Sequence, residues 1–475
     1  MKILLTGVTG YIGKRLLIQL LEEGHHIVCS VRDQKRFGTQ LFKNNLDQIE
    51  VIENDFLDEK TLDNIPQDLD AAYYLIHSMS SNEGDFEEKE KISAENFRKA
   101  LEKTKVQQVV FLTGIINEEK LSKHLQSRKN VEEALQSSNY GLTSLRAGII
   151  VGSGSASFEI MRENEEKLPI MITPKWLNTK CQPIAIRNVI QYLNGVLGKE
   201  FTYNQHYDIA GTDVLTYKQM LLQYAEIRGL KRTIFIVPVM TPKLSSYWLY
   251  FVTSTSYFLA QNLVDSMKID VVATKNDLAE KLGIHLFSYQ EAIKLAFDKI
   301  KQNNVLSSWY DSFTSQFHTR QVWQYLEVPD EGCFKDIREV KTDDETATLN
   351  RIFSIGGTTG WYYADFLWRI RGFLDKVFGG VGLRRGRRNM TELEAGDSVD
   401  FWRVLYADKD KKRLLLFAEM KLPGEAWLEF KIKDGILHQE ATFRPLGLSG
   451  RLYWYSVLPF HGLIFNGMLK KLAGK

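Results

Sequence analysis

Residues 2–13 read KILLTGVTGYIG, and this stretch decides the fold of the first part of the chain. Ile3, Leu4 and Leu5 form a short apolar run of the kind that makes a buried parallel strand. Gly7, Gly10 and Gly13 follow at every third position, and residues 12–21 then carry a helical apolar pattern without proline. Strand, glycine turn and helix N-terminus together make an anion site. Amide N–H groups point outward there, the helix dipole favours negative charge, and the absent side chains let a diphosphate approach the backbone. The spacing therefore predicts a bound dinucleotide, with Thr6, Gly7, Thr9, Gly10, Tyr11, Ile12 and Gly13 around its phosphates.

Outward from that turn, strand-like and helical segments alternate to about residue 150. Strands are expected at 2–6, 26–31, 48–52, 71–76, 108–113 and 142–145, with helices between them at 85–103 and 121–136. Such alternation predicts an α/β Rossmann fold, a doubly wound parallel sheet covered on both faces. Ligands bind such sheets beyond the carboxyl ends of the strands. Thr6, Arg32, Asp55, His77, Thr113 and Arg146 fall near those ends.

Beyond residue 150 the pattern loosens. GSGSASF at 152–158, a proline-bearing stretch at 168–183 and an aromatic helix at 247–263 suggest a small substrate lobe. The reading is a dinucleotide-binding domain over 1–230, a lobe completing it over 231–304, and a separate domain over 305–475. In the last part, strands are expected at 400–406, 413–421, 426–433 and 437–443. A helix is expected over 362–378 and another after Pro459. Leu428, Phe430 and Ile432 alternate with charged residues, so one face is buried and one wet. Asp434-Gly435 is a tight-hairpin signal. This predicts an antiparallel α+β domain whose sheet and long helix could enclose an apolar cavity.

The composition narrows the function classes. A net charge of +2 gives no reason to expect nucleic acid as a partner. Cys29, Cys181 and Cys333 lie far apart, show no metal spacing and suit a reducing compartment. No apolar run reaches the ~18 residues that a spanning helix needs. The chain opens directly on a strand, which leads us to expect a cytoplasmic protein.

The dinucleotide itself is read at the end of the second strand, Ser30-Val31-Arg32-Asp33. Asp33 has the spacing of an acid that bonds the adenosine ribose of NAD. Arg32 has the planar fork that suits the 2′-phosphate of NADP, and Lys14 and Arg15 add positive charge nearby. The balance favours NADP, with NAD as the alternative. Asp55 could accept from the adenine amine or cap the helix that follows it.

These residues resemble the atypical short-chain dehydrogenase/reductases, in particular the NmrA-like and YbjT-like group. The resemblance rests on TGVTGYIG at 6–13, VRD at 31–33, NDFLD at 54–58, YYLIHSM at 73–79, FLTG at 111–114 and SLRAGIIVGSGSASFE at 144–159. It continues in QPIAIRNV at 182–189 and covers roughly the first 300 residues. The last third resembles an uncharacterised domain related to START-like helix-grip folds, through GGVGLRRGRR at 379–388, LPGEAWLEF at 422–430 and YWYSVLPFHGLIF at 453–465. The first resemblance implies nucleotide binding, with Phe56 and His77 beside the coenzyme. It often implies hydride transfer by a Tyr and a Lys four residues later. Here the matching pair is His124 and Arg128. Arg does not deprotonate near neutrality, whereas His is a competent general acid and base. His124 could therefore donate the proton while Thr113 polarises a substrate carbonyl and Arg128 holds a ribose or phosphate. Alternatively, both helix residues face solvent.

Three readings of function follow. The first is an NAD(P)-dependent oxidoreductase acting on a carbonyl or quinone-like small molecule. The others are a nucleotide-binding sensor or scaffold without turnover, and a carrier of an apolar ligand in the C-terminal domain. The arginines at 384, 385, 387 and 388 could meet an anionic head group or pair with carboxylates such as Glu419, Glu425 and Glu429. His461 could face the cavity or the helix surface.

Overall fold

The computed structural model describes residues 1–32, 47–76, 86–116, 123–237, 267–301 and 333–475 except 384–386, 388, 390 and 446, with isolated positions between those stretches. The chain divides into two compact units, Met1–Thr253 with Tyr257–Ser312, and Ser254–Ser256 with Phe313–Lys475.

The first unit begins with β1 (Lys2–Leu5), α1 (Tyr11–Glu22), β2 (His26–Val31), β3 (Ile49–Glu53) and β4 (Ala71–Tyr74). It continues with α2 (Phe86–Leu101), β5 (Gln108–Gly114), α3 (Lys123–Ala134) and β6 (Gly141–Ala147). After them come α4 (Ala156–Lys167), β7 (Ile170–Pro174), α5 (Ile186–Gly195) and β8 (Gln205–Ile209). Seven strands make one sheet in the order β8-β6-β5-β4-β1-β2-β3, with every pairing parallel. Successive residues of each strand feed opposite cores. Ile3, Leu5, Cys29 and Tyr73 pack with Leu16, Leu17 and Leu20 of α1 and Tyr192 of α5. Leu4, Val28, Tyr74 and Phe111 pack with Phe97 of α2 and Val131 of α3. Two buried faces explain why these strands read as continuous apolar runs. The chain order reverses between β1 and β4, which places a crevice at their carboxyl ends.

The lobe is built from α4, β7, α6 (Tyr217–Ile227), β9 (Thr233–Val237) and α7 (Tyr289–Lys301). β7 and β9 form their own parallel pair. Phe158, Tyr224 and Phe297 meet at 5.5–6.1 Å between ring centroids in its core. The aromatic stretch 247–263 lies outside the described residues. The seventh strand, β8, escapes a sequence reading because QHYDI offers little apolar signal for an edge position.

The second unit contains β10 (Phe334–Lys341), α8 (Glu345–Phe353), α9 (Asp365–Val377), β11 (Ser398–Val399) and β12 (Trp402–Asp408). It ends with β13 (Arg413–Ala418), β14 (Gly424–Lys433), β15 (Ile436–Pro445) and α10 (Gly447–Ala473). The sheet is antiparallel, in the order β10-β15-β14-β13-β12-β11. Asp434 and Gly435 both take positive φ, 52° and 73°, in the tight turn the sequence signalled. The space between sheet and helix is packed by Trp361, Phe401, Trp402, Phe465, Met468 and Leu472.

Two expectations change, and one strand was not foreseen. α9 starts at Asp365 rather than residue 362, because Tyr362 and Ala364 sit in left-handed backbone, φ 63° and 53°, which breaks helix continuity. α10 starts at Gly447 and runs through Pro459 instead of beginning after it. A proline inside a helix costs about 3 kcal/mol. Trp454, stacked on Phe334 at 5.4 Å and Phe443 at 5.9 Å, holds the first half of the helix against the sheet. β10 is the unforeseen strand. Its apolar residues Phe334, Ile337 and Val340 recur every third position, which hides the strand's two-residue alternation. Ile337 faces outward, while Asp336 and Arg338 turn inward as an ion pair at 2.8 Å.

Candidate coenzyme and active site

The glycine turn is shaped by close packing at the β1–β4 seam. Gly7 has φ +65°, and a Cβ there would lie 2.6 Å from the Leu75 carbonyl oxygen. A Cβ on Gly13 would lie 2.2 Å from the Gly7 carbonyl oxygen. The Gly10 amide donates to that same oxygen at 2.9 Å, closing the turn. Thr6 is fully buried, and its hydroxyl is committed to β4, donating to the Tyr73 carbonyl at 2.9 Å and accepting from the Leu75 amide at 3.0 Å. Thr9, at the tip, is exposed. No side chain caps the N-terminus of α1, and its first turn holds no acid. Both common ways of satisfying the first amides of a helix are thus absent, and the backbone cradle fits an anionic diphosphate.

Tyr11 and Arg15 tie this turn to the lobe. The Arg15 guanidinium lies 4.0 Å over the Tyr11 ring and donates to the carbonyls of Tyr11 at 2.9 Å and Ser153 at 3.0 Å. Burial pushes the Tyr11 hydroxyl up to about 12, so it stays protonated. A Cβ on Gly152 would meet the Tyr11 oxygen at 2.7 Å. Gly154 donates to Glu159 at 2.9 Å, and Glu159 pairs with Arg162 at 2.7 Å, which fixes the start of α4. The Arg15 fork is thus held by two carbonyls, while its positive charge stays beside the turn. The four-residue spacing of Tyr11 and Arg15 was the available signal.

Arg32 is exposed just past β2, while Asp33 lies outside the described residues. Asp55 follows β3 and is half-buried. One of its carboxylate oxygens accepts from the Leu57 amide at 3.0 Å, and its own amide donates to Thr61 at 2.8 Å. Phe56 is buried against Phe97 at 5.5 Å, with its carbonyl held by Asn96 at 2.9 Å. The glycine turn, Arg32 and Asp55–Phe56 thus line the carboxyl edge of the adjacent strands β1, β2 and β3. His77 and Ser78 lie outside the described residues.

On the other side of β4, Thr113 ends β5 with its side chain buried and its hydroxyl without a hydrogen-bond partner. The register pairs it with Arg146 of β6, whose guanidinium makes a two-pronged pair with Glu132 of α3 at 3.0–3.1 Å. Arg128 is 7% exposed, which excludes the solvent-facing alternative for that residue. Burial lowers its pKa from the ordinary value, and the Glu90 carboxylate on α2 works the other way. Ser127 donates to Glu90 at 2.6 Å, and Tyr74 to Ser93 at 3.1 Å. This buried polar row between α2 and α3 was missed, because Glu90, Ser93 and Asn96 read as the wet face of a charged helix. His124 lies in the first turn of α3, one helical turn before Arg128.

In the second unit, the glutamates expected as partners of the arginine run meet other cations as well. Glu419 binds Arg403, Glu429 binds Arg413 and Glu425 approaches Arg444. Arg387 instead donates to the carbonyls of Phe353 and Ile355 at 2.6 Å, closing the end of α8. Arg384, Arg385 and Arg388 lie outside the described residues. His461 sits 3.7 Å from Asp336 and between the rings of Trp454 and Phe465. A cleft of about 50 Å³ is lined by Thr358, Trp361, Asp365, Trp368, Arg369 and Asp400 among others. Among the described residues no group of three or more His, Cys, Asp or Glu could hold a metal, and no helix is long and apolar enough to cross a membrane.

Comparison with known proteins agrees with this geometry. No curated protein matches the chain. Among solved structures, a triphenylmethane reductase of Citrobacter sp. superposes with a TM-score of 0.51 at 18% identity, over 63% of this chain and 100% of that one. The same reductase complexed with NADP(H) gives 0.50 at 19%, over 62% and 100%. A nucleoside-diphosphate-sugar epimerase from Staphylococcus aureus gives 0.50 at 15%, over 62% and 100%. At these identities the likeness is one of fold. Residues 330–468 match a family described as a protein of unknown function, DUF2867, and residues 7–174 match one described as NAD(P)H-binding. The first unit therefore carries an NAD(P)H-binding domain of the Rossmann type, and the chain continues into a domain whose family has no assigned function.

Proposed function

We propose that the protein is an NADP(H)-dependent oxidoreductase of the atypical short-chain dehydrogenase/reductase type, acting on a carbonyl or quinone-like small molecule. One observation carries the reading. The uncapped glycine turn at the β1–β4 seam shares the carboxyl edge of the sheet with the unpartnered Thr113 hydroxyl, buried at the end of β5. The fold-mate from Citrobacter, a reductase complexed with NADP(H), supports it.

When bound, the nicotinamide coenzyme supplies or accepts the hydride. The amides at the start of α1 bind its diphosphate, and Arg32 takes the 2′-phosphate. Asp55, with one oxygen on the Leu57 amide, offers the other to the adenine amine. Thr113 donates to the substrate oxygen. His124 gives or takes the proton, and the Arg128 guanidinium stabilises the charge that develops.

The test is loss of nicotinamide absorbance from NADPH with the full chain and a panel of carbonyls and quinones. Turnover that depends on the acceptor is expected, with His124→Ala lowering kcat roughly 10²–10⁴-fold while NADPH still binds. NADPH binding without turnover across the panel would sink the redox reading. It would favour the sensor or scaffold, a role that the Glu90 carboxylate beside Arg128 also suits, since a compensated guanidinium can be purely structural.

A further inference from the structure

The helix α9 has a buried face and an exposed apolar one. One faces inward with Trp368, Gly372 and the fully buried Asp375. The other turns Phe366, Ile370, Phe373, Leu374, Val377 and Phe378 outward, with exposures from 43% to 70%. Their spacing of three, four and one places them in a single stripe along the helix. Scattered exposed apolar residues need no explanation, but a contiguous stripe of six marks a contact surface.

Charge identifies what the stripe meets. Between residues 365 and 388, leaving aside Arg387, whose guanidinium is held by the Phe353 and Ile355 carbonyls, the sequence carries six cations, namely Arg369, Arg371, Lys376 and the arginines at 384, 385 and 388, against two acids. Asp375 is turned inward, where its carboxylate accepts from the amides of Gly382 at 2.8 Å and Lys421 at 2.7 Å. Arg369 is exposed within the stripe's own span. A second copy of the chain would set like charges against one another. An anionic lipid surface complements both features, because acyl chains accept the phenylalanines and head groups accept the guanidiniums. The same unit turns Leu452, Tyr455, Leu458 and Leu463 of α10 outward, and no acid occurs from Arg451 to Lys475.

We propose that α9 docks the protein onto an anionic membrane surface, lying in the interface with its phenylalanine stripe inserted and its cations among the head groups. The proposal does not depend on the redox reading. It is tested by co-sedimentation of the full chain with phosphatidylcholine vesicles, with and without phosphatidylglycerol. Binding to the anionic vesicles is expected at about 0.1 M salt and should weaken strongly at about 1 M, where screening shortens to ~3 Å. Phe373→Glu changes an exposed side chain and should weaken binding roughly tenfold or more, leaving NADPH binding as it was. Arg369→Glu should weaken it on anionic vesicles only. Equal retention on both vesicle types, no retention on either, or an unaffected Phe373→Glu variant would overturn the proposal. So would light scattering that shows a dimer made monomeric by Phe373→Glu, since the stripe would then be covered by a second copy.

Discussion

Glu165 is the residue whose setting has the sharpest thermodynamic consequence. Its carboxyl is fully buried in α4, neither oxygen has a hydrogen-bond partner, and Arg232 stands 3.8 Å away. Burial raises its pKa to about 7, with Arg232 opposing the rise. In the unfolded chain the same acid ionises near ~4.3. The unfolded state therefore loses its proton first, and stability falls as pH rises from about 4.5 to about 7, by roughly 3 kcal/mol. Glu165→Gln removes this dependence. Urea unfolding should show the variant gaining on the wild type as pH rises through that window, and a difference independent of pH would refute the assignment. Residue roles were only partly legible in the sequence. Gly7 and Gly13 declared themselves, because only a residue without Cβ fits where one would lie 2.2–2.6 Å from a carbonyl oxygen. Arg15 and Glu90 did not, because their partners Ser153 and Ser127 lie far along the chain.

At the scale of elements, apolar periodicity decided what could be read. The strands of the parallel sheet announced themselves as continuous apolar runs, and the Asp434-Gly435 hairpin by its turn residues. β10 was hidden because an inward ion pair, Asp336–Arg338, occupies positions where apolar residues would mark a strand. α10 was cut short because Pro459 carries a stronger local signal than the stacking that outweighs it. That stacking yields a prediction. Trp454→Ala removes the ring between Phe334 and Phe443 and should cost about 3–5 kcal/mol. Chemical denaturation gives the magnitude. Hydrogen exchange should show protection lost first at 447–458, before the half held by Phe465, Met468 and Leu472. Uniform loss along α10 would mean that the proline, not the stacking, sets its limits.

For the whole molecule, the sequence separated a dinucleotide-binding part from an antiparallel α+β part because the two burial periods differ. A parallel sheet hides both faces, whereas β14 alternates buried and wet residues. Two units with separate cores should respond separately to coenzyme. NADPH at about 100 times its dissociation constant stabilises what it binds by about 2.7 kcal/mol. Calorimetric melting should show the transition of the first unit move up with NADPH and that of the second stay. Gly13→Ala should abolish the shift. An equal upward shift of both transitions would show that the units melt as one.

The tether from Arg15 to Ser153 has an evolutionary corollary. The glycine turn and the segment leading into the first helix of the lobe share one strut, so the lobe is not a freely exchangeable cap. Grafting a foreign cap onto this scaffold without an acceptor for that guanidinium would leave a charge without its partner and loosen the glycine turn. Changes beyond α4 leave that strut in place.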